Sequence, residues 1–229
     1  MIKEGKRKLG IANEKREMRK KCRLLKQFKN ASKGRIVVAL TGQVASGKTT
    51  AMEHFRKLGA GVISSDNMAR EALNSKKCYN KIVGRFGKKI LLKNNSIDRY
   101  KLSQIIFRRP AERKRLENLL HPEILQKILS IIKKSDKKIL IVDIPLLFET
   151  GLAGCFDVTL CVDADLKRRL SRASERGWSV RNFMSRVKSQ FSSAEKARLA
   201  DIVIGNNSCA ANLCRQVESI YSALKVMIK

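Results

Sequence analysis

Residues 42–49 read Gly-Gln-Val-Ala-Ser-Gly-Lys-Thr, and no other stretch restricts the possible folds so sharply. The spacing is G-x-x-x-x-G-K-[ST], the pattern of a phosphate-binding loop. Its glycines let the main chain close around phosphate, and amides at the start of the next helix aim their N–H groups inward. Such a loop needs a buried strand before it and a helix after it. Ile36 to Leu40 supplies a short run rich in β-branched residues, and Lys48 to Leu58 reads as a helix closed by Gly59. On this reading Gly42, Gln43, Val44, Ala45, Ser46 and Gly47 wrap a nucleoside triphosphate. Lys48 reaches its β- and γ-phosphates, and the Thr49 hydroxyl ligates Mg²⁺. The bland alternative is a glycine turn that binds nothing.

Further along, the same alternation recurs. Val62-Ile63, Ile139 to Ile144, Val158 to Val162 and Asp201 to Ile204 read as strands separated by helical stretches. Strands alternating with helices predict an α/β fold with a parallel sheet flanked by helices. From Met68 to about Ser135 the pattern is mostly helical. Leu116, Leu119, Leu120, Ile124, Leu125, Ile128, Leu129 and Ile132 mark one apolar face, with Pro122 expected to open a helix. Residues 68–135 therefore read as a helical insertion in the domain spanning 35–229. Asp165 is a candidate cap for the helix after it, and Ser192 with Glu195 has the spacing of a capping box.

Charge narrows the partners. The 229 residues carry 50 Lys and Arg against 20 Asp and Glu, a formal charge of +30. Nucleic acid, a membrane surface or small polyphosphates all suit such a chain. Residues 1–34 hold 13 of the basic residues and three acidic ones, and Met18, Cys22 and Leu25 fall at helical spacing. They read as a basic extension, either a binding arm or a solvated tail, whose removal is expected to leave activity largely intact. No apolar run approaches the ~18 residues of a membrane-spanning helix. The N-terminus lacks the apolar core of a secretory signal; its Arg and Lys content leaves an organellar transit peptide open, with Glu4, Glu14 and Glu17 weighing mildly against it. Six scattered cysteines without a C-x-x-C pair, and only two His, fit a reducing, cytoplasmic setting better than a zinc site or disulfide framework.

Three further groups carry candidate chemistry. Residues 164–188 hold eight Lys and Arg, including Arg172 and Arg176, against Asp165 and Glu175. Guanidinium groups there could stabilise a migrating phosphoryl group as a lid that excludes water, or they could be a solvated helix face. Asp66 follows the second strand and is either a general base for an attacking hydroxyl or a helix N-cap. Asp143 ends the third strand and either supports Mg²⁺ or shapes the turn before Pro145. No N-K-x-D guanine signature is present, and no D-G-F-P-R stretch of a nucleoside monophosphate kinase. A lone His such as His121 is more often structural, and Trp178 is expected to pack the lid.

Several blocks then agree in order with one family. They are Ala39 to Thr50, Val62 to Asp66 with Ala69-Arg70, Phe86-Gly87, Ile97 to Arg99, His121 to Ile124 and Pro145 to Glu149. Arg172, Arg176, Arg186, Gln190, Ala200-Asp201 and Asn206 complete the set. Residues 35–229 resemble the dephospho-coenzyme A kinases. The resemblance implies transfer of the ATP γ-phosphoryl group to the ribose 3′-hydroxyl of dephospho-coenzyme A, with ATP and Mg²⁺ as partners of the reaction. It implies catalytic roles for Lys48, Asp66, Arg172 and Arg176. It places Thr50 with the phosphate loop and Asn206 near adenine, and it sets Asp66, Arg70, Arg99, His121, Pro145 and Leu146 toward the acceptor. It also implies a lid at 164–192 and an acceptor-binding role for 68–135. Two positions depart from the pattern: Ser64 replaces a usual acidic residue, and Ser208 a usual glycine. The alternatives are another P-loop small-molecule or nucleoside monophosphate kinase, or a basic RNA-associated P-loop ATPase. Contact of residues 1–34 with RNA or the ribosome is a further expectation.

Overall fold

The five aliphatic runs become one sheet. In the computed structural model, which describes residues 22–73 and 75–228, they are β1 (Ile36–Thr41), β2 (Gly61–Ser64), β3 (Ile139–Asp143), β4 (Val158–Asp163) and β5 (Ile202–Gly205). The order is β2-β3-β1-β4-β5, and every pairing is parallel. Parallel strands need helical crossovers, which cover both faces of the sheet, so the inner strands can be apolar throughout. All six residues of β1 are buried. They alternate between two cores: Ile36, Val38 and Leu40 face Phe55, Leu213 and Val217, whereas Val37 and Ala39 face Leu125, Ile128 and Ile132.

Among the described residues, ten α-helices surround the strands. Residues 22–31 form α1, followed by α2 (Lys48–Lys57), α3 (Ser65–Leu73), α4 (Lys76–Phe86), α5 (Arg99–Arg108) and α6 (Pro110–Lys134). After β4 come α7 (Leu166–Glu175), α8 (Val180–Val187), α9 (Ser193–Leu199) and finally α10 (Ala210–Val226). Helices α3 to α6 enclose their own small core of Ala72, Ile82, Phe86, Ile90, Leu102, Leu116 and Leu120. The capping box of Ser192 and Glu195 opens α9. Asp165 stands at the start of α7 without a side-chain cap bond.

Two expectations need correction. Pro122 does not open a helix: α6 begins at Pro110 and runs straight through it for 25 residues. An interior proline costs about 3 kcal/mol. Here the buried face of Leu116, Leu120, Leu125, Ile128, Leu129 and Ile132 continues across it and offsets that cost. The second concerns residues 1–34. Met18 and the rest of 1–21 lie outside the described residues, but 22–34 are not a detached appendage. Phe28 and Ala31 of α1 are buried in the core beneath β1 and β3. Phe28 meets Phe156 edge-to-face, with ring centroids 5.4 Å apart. Arg35 then donates to Ser135 O at 2.9 Å and to Ile132 O, satisfying carbonyls at the end of α6.

Truncation to residue 34 is therefore expected to destabilise the protein rather than leave it intact. The cleaner measurement is Phe28→Ala, for which denaturant unfolding should report a loss of about 3–5 kcal/mol. An unchanged midpoint would detach α1 from the core.

Candidate active site

The chain leaves the centre of the sheet at Thr41 and must turn sharply to start α2 at Lys48. It does so with positive φ at Gly42 (143°), Ala45 (61°) and Gly47 (104°). A side chain at Gly42 would stand 2.4 Å from Val162 O, and one at Gly47 would stand 2.0 Å from Asn206 Nδ2. Ala45 carries its Cβ in the left-handed region, a cost of roughly 1–2 kcal/mol. The loop is held down from outside. Asn206 Nδ2 donates to Ser46 O at 2.7 Å, and Asn206 N donates to Asp163 O at 2.7 Å. Arg172 donates to Ser46 O at 3.2 Å and to Asn206 O at 3.0 Å.

Inside the loop, Lys48 Nζ folds back onto Gly42 O at 2.9 Å and Gln43 O at 3.3 Å. Strand register sets Asp143 opposite Leu40 on one side and Ser64 on the other, so three strand ends converge. Asp143 is buried, and its Oδ1 has no hydrogen-bond partner among the described residues. Burial pushes its pKa up to about 6, with Lys48 opposing and Asp66 adding to the rise. Burial likewise pulls the Lys48 ammonium down, opposed by Asp143 and then Asp66, while Lys196 adds to the fall. Lys48, Asp143 and Asp66 thus lie within electrostatic reach of one another. Helix α3 begins earlier than expected, and its first turn is met by Ser64 Oγ, 3.4 Å from Asn67 N. Asp66 is therefore not the N-cap; its carboxylate lies exposed in the first turn.

The remaining candidates divide. Thr49 and Thr50 are exposed in the first turn of α2, beside the loop. Arg70 is exposed one turn beyond Asp66 on α3, and Arg176 is exposed one turn beyond Arg172 at the end of α7. Arg99 starts α5, and His121 is half-buried in α6, where burial lowers its pKa against the pull of Glu117. Neither bonds to the loop among the described residues. Pro145 contributes its carbonyl, which accepts from Lys196 Nζ at 2.6 Å and Thr41 Oγ1 at 3.3 Å. Leu146 O accepts from Thr150 Oγ1 at 2.6 Å. The arginine-rich segment packs on the loop itself: Val44 and Ala45 join Ala173, Phe183 and Trp178 in one apolar cluster. Arg186 stacks over Trp178 at 4.4 Å.

Sequence reasoning missed Lys196. It is fully buried, 2.8 Å from Glu149, and pins the turn after β3. Its place in α9 carries no sequence signal, because exposed lysines recur throughout the chain. Arg169 was visible only as one basic residue among eight; its contact with Gln43 depends on where α7 comes to lie.

A cradle of main-chain amides at a helix start, a lysine folded into it, a strand-end carboxylate and a clamping arginine define a P-loop phosphotransferase. Known proteins narrow the class. The dephospho-CoA kinase family matches residues 36–212. The dephospho-CoA kinase of Geobacillus kaustophilus is 39% identical over 190 residues, covering 81% of this chain and 94% of that one. That of Fusobacterium nucleatum is 35% identical over 184 residues, covering 80% and 95%. Among solved structures, dephospho-CoA kinase from Campylobacter jejuni superposes with a TM-score of 0.59 at 30% identity, covering 82% of this chain and 96% of its own. TT1252 from Thermus thermophilus does so with a TM-score of 0.72 at 28% identity, covering 83% and 98%. The chain belongs to the dephospho-CoA kinase family.

The buried carboxylate makes a pH prediction. Its folded pKa of about 6 lies above the ordinary 3.8, so between these values the folded state holds the extra proton. Stability due to Asp143 is therefore present at low pH and lost as pH rises through this window. Relative to Asp143→Asn, the wild type should lose about 2–3 kcal/mol between pH 4 and 7, measured by denaturant unfolding. A constant difference across that range would contradict the burial argument.

Proposed function

We propose that this chain passes the γ-phosphoryl group of ATP to the ribose 3′-hydroxyl of dephospho-CoA, yielding CoA and ADP. The observation that carries the reading is the convergence of Lys48, Asp143 and Asp66 at adjoining strand ends, beneath a loop clamped by Arg172. The loop amides hold the β- and γ-phosphates. Lys48, now occupied by the carbonyls of Gly42 and Gln43, turns to the phosphate oxygens as they arrive. Asp66 is exposed, so an acceptor hydroxyl can reach it. It takes the hydroxyl proton as that oxygen attacks the γ-phosphorus. The bond to the β–γ bridging oxygen breaks, and ADP departs with that electron pair. Arg172 offsets the charge spread over the migrating group, and Arg176, one turn on, lies on the same stretch of α7.

The residues present suit Mg²⁺. Asp143 Oδ1 is buried without a partner, and the Thr49 hydroxyl is exposed at the start of α2. These two would hold the ion, which supplies neutralising charge to the phosphates when bound. Ser64 stands where a carboxylate is usual, which leaves Asp66 and Asp143 as the acidic groups of this edge. Arg70, Arg99 and His121 are assigned to the acceptor through the helical layer of α3 to α6. Six free thiols suit the reducing cytoplasm. No helix among the described residues is long and apolar enough to cross a membrane.

A coupled ADP-release assay tests the reading, with dephospho-CoA set beside adenylate and cytidylate as acceptors. Dephospho-CoA should be strongly preferred. Lys48→Ala should abolish transfer. Asp66→Asn should lower kcat by about 10²–10⁴-fold while leaving ATP binding near normal. Near-normal turnover in Asp66→Asn would remove the general-base assignment, and preference for a nucleoside monophosphate would remove the acceptor.

A further inference from the structure

The side chain of Gln43 turns away from the cradle to which its main chain belongs. It is only 2% exposed. Its Nε2 donates to Phe191 O at 2.6 Å, and its Oε1 accepts from the Arg169 guanidinium. The chemistry of the partners fixes this orientation. A guanidinium only donates and a carbonyl only accepts, so the two ends of the amide cannot be exchanged.

Those partners bracket the arginine-rich segment. Arg169 sits in the first turn of α7, three residues before Arg172. It is buried, donates through Nε to Ala164 O at 2.9 Å, and lies 6.0 Å from the centre of the Phe183 ring. Phe191 follows α8, and its N–H donates to Glu149 Oε1 at 2.8 Å. One amide from the second residue of the cradle therefore ties together both ends of the segment 164–192.

We propose that Gln43 is a positioning residue that sets the closed register of this segment over the phosphates and so transmits the state of the cradle to Arg172. Phosphate oxygens that draw in the main chain of residues 42–47 shift the root of Gln43. The amide then carries the start of α7 and the exit of α8 along with it. Arg172 lies one turn further along the same helix, in the last turn of α7, and donates to Ser46 O, so its placement follows that of α7. Breaking the bridge leaves the loop amides and Lys48 in place. ATP binding should then suffer less than transfer. Water should also gain access, so that some γ-phosphoryl groups pass to water and give ADP and inorganic phosphate. This inference rests on the kinase reading above.

Two variants of nearly native length test it. Gln43→Glu keeps an acceptor for Arg169 but loses the donor to Phe191, and Gln43→Met loses both. The readouts are ADP formed per acceptor phosphorylated, kcat against KM for ATP, and amide hydrogen exchange across 164–192 with and without a non-hydrolysable ATP analogue. In the wild type the analogue should slow exchange at both ends of the segment. In Gln43→Met that protection should vanish, kcat should fall roughly tenfold to a hundredfold with little change in KM, and ADP should exceed phosphorylated acceptor. Gln43→Glu should lose protection around Phe191 while α7 keeps it. A merely structural glutamine would lower the melting temperature yet leave the ADP-to-acceptor ratio and the exchange pattern native, and that result overturns the proposal. Should Gln43→Met not fold, the asymmetric exchange of Gln43→Glu decides alone. Failure of the wild type to phosphorylate dephospho-CoA would sink the acceptor reading, whereas the exchange response to the ATP analogue would still judge the bridge.

Discussion

An ammonium group drawn out of water organises the carboxyl edge of this sheet. Lys48 is satisfied by two loop carbonyls and supported by two carboxylates, with the Lys196 cation adding repulsion. Lys196 in turn is held by Glu149 and by the carbonyl of Pro145. Burial weakens each isolated charge, and the set stands because every charge has an opposite nearby. Phosphate oxygens would replace the carbonyl acceptors of Lys48 and add negative charge that offsets what burial costs its ammonium, so the ligand relieves a cost already present in the folded chain.

Much of this was legible in the residues because it depends on local sequence. Residues 42–49 announce the turn, Ile36 to Leu40 the strand before it, and Ser192 with Glu195 the start of α9. Each signal is complete within a few positions. The family pattern added the distant blocks, among them Asn206, which now lies against Ser46 O. What stayed hidden depends on where elements come to rest. Nothing near Lys196 distinguishes it from an exposed lysine, and nothing near Phe28 separates it from a polar tail rich in Lys and Arg. Pro122 is a local helix breaker, and the apolar face that carries α6 through it is a property of the whole packed helix. Asp66 has both a capping and a catalytic reading in the sequence, and the position of Ser64 at the start of α3 removes the first.

The absence of a second carboxylate at Ser64 fits this picture. Ser64 pairs in register with Asp143, so a carboxylate there would stand next to one that burial already strains. The serine instead hydrogen-bonds the first turn of α3 and leaves Asp66 oriented by its helix.

Helix α6 is shared by the two apolar interiors on its side of the sheet, as is α3 through Met68 and Ala72. Leu116 and Leu120 belong to the interior of the helical layer, Leu125 to Ile132 belong to the interior under β1 and β3, and Ile124 touches both. The layer that includes Arg70, Arg99 and His121 is thus joined to the sheet by a continuous helix. It shares one rod with the sheet, so a change of packing in either interior bears on the other through α6.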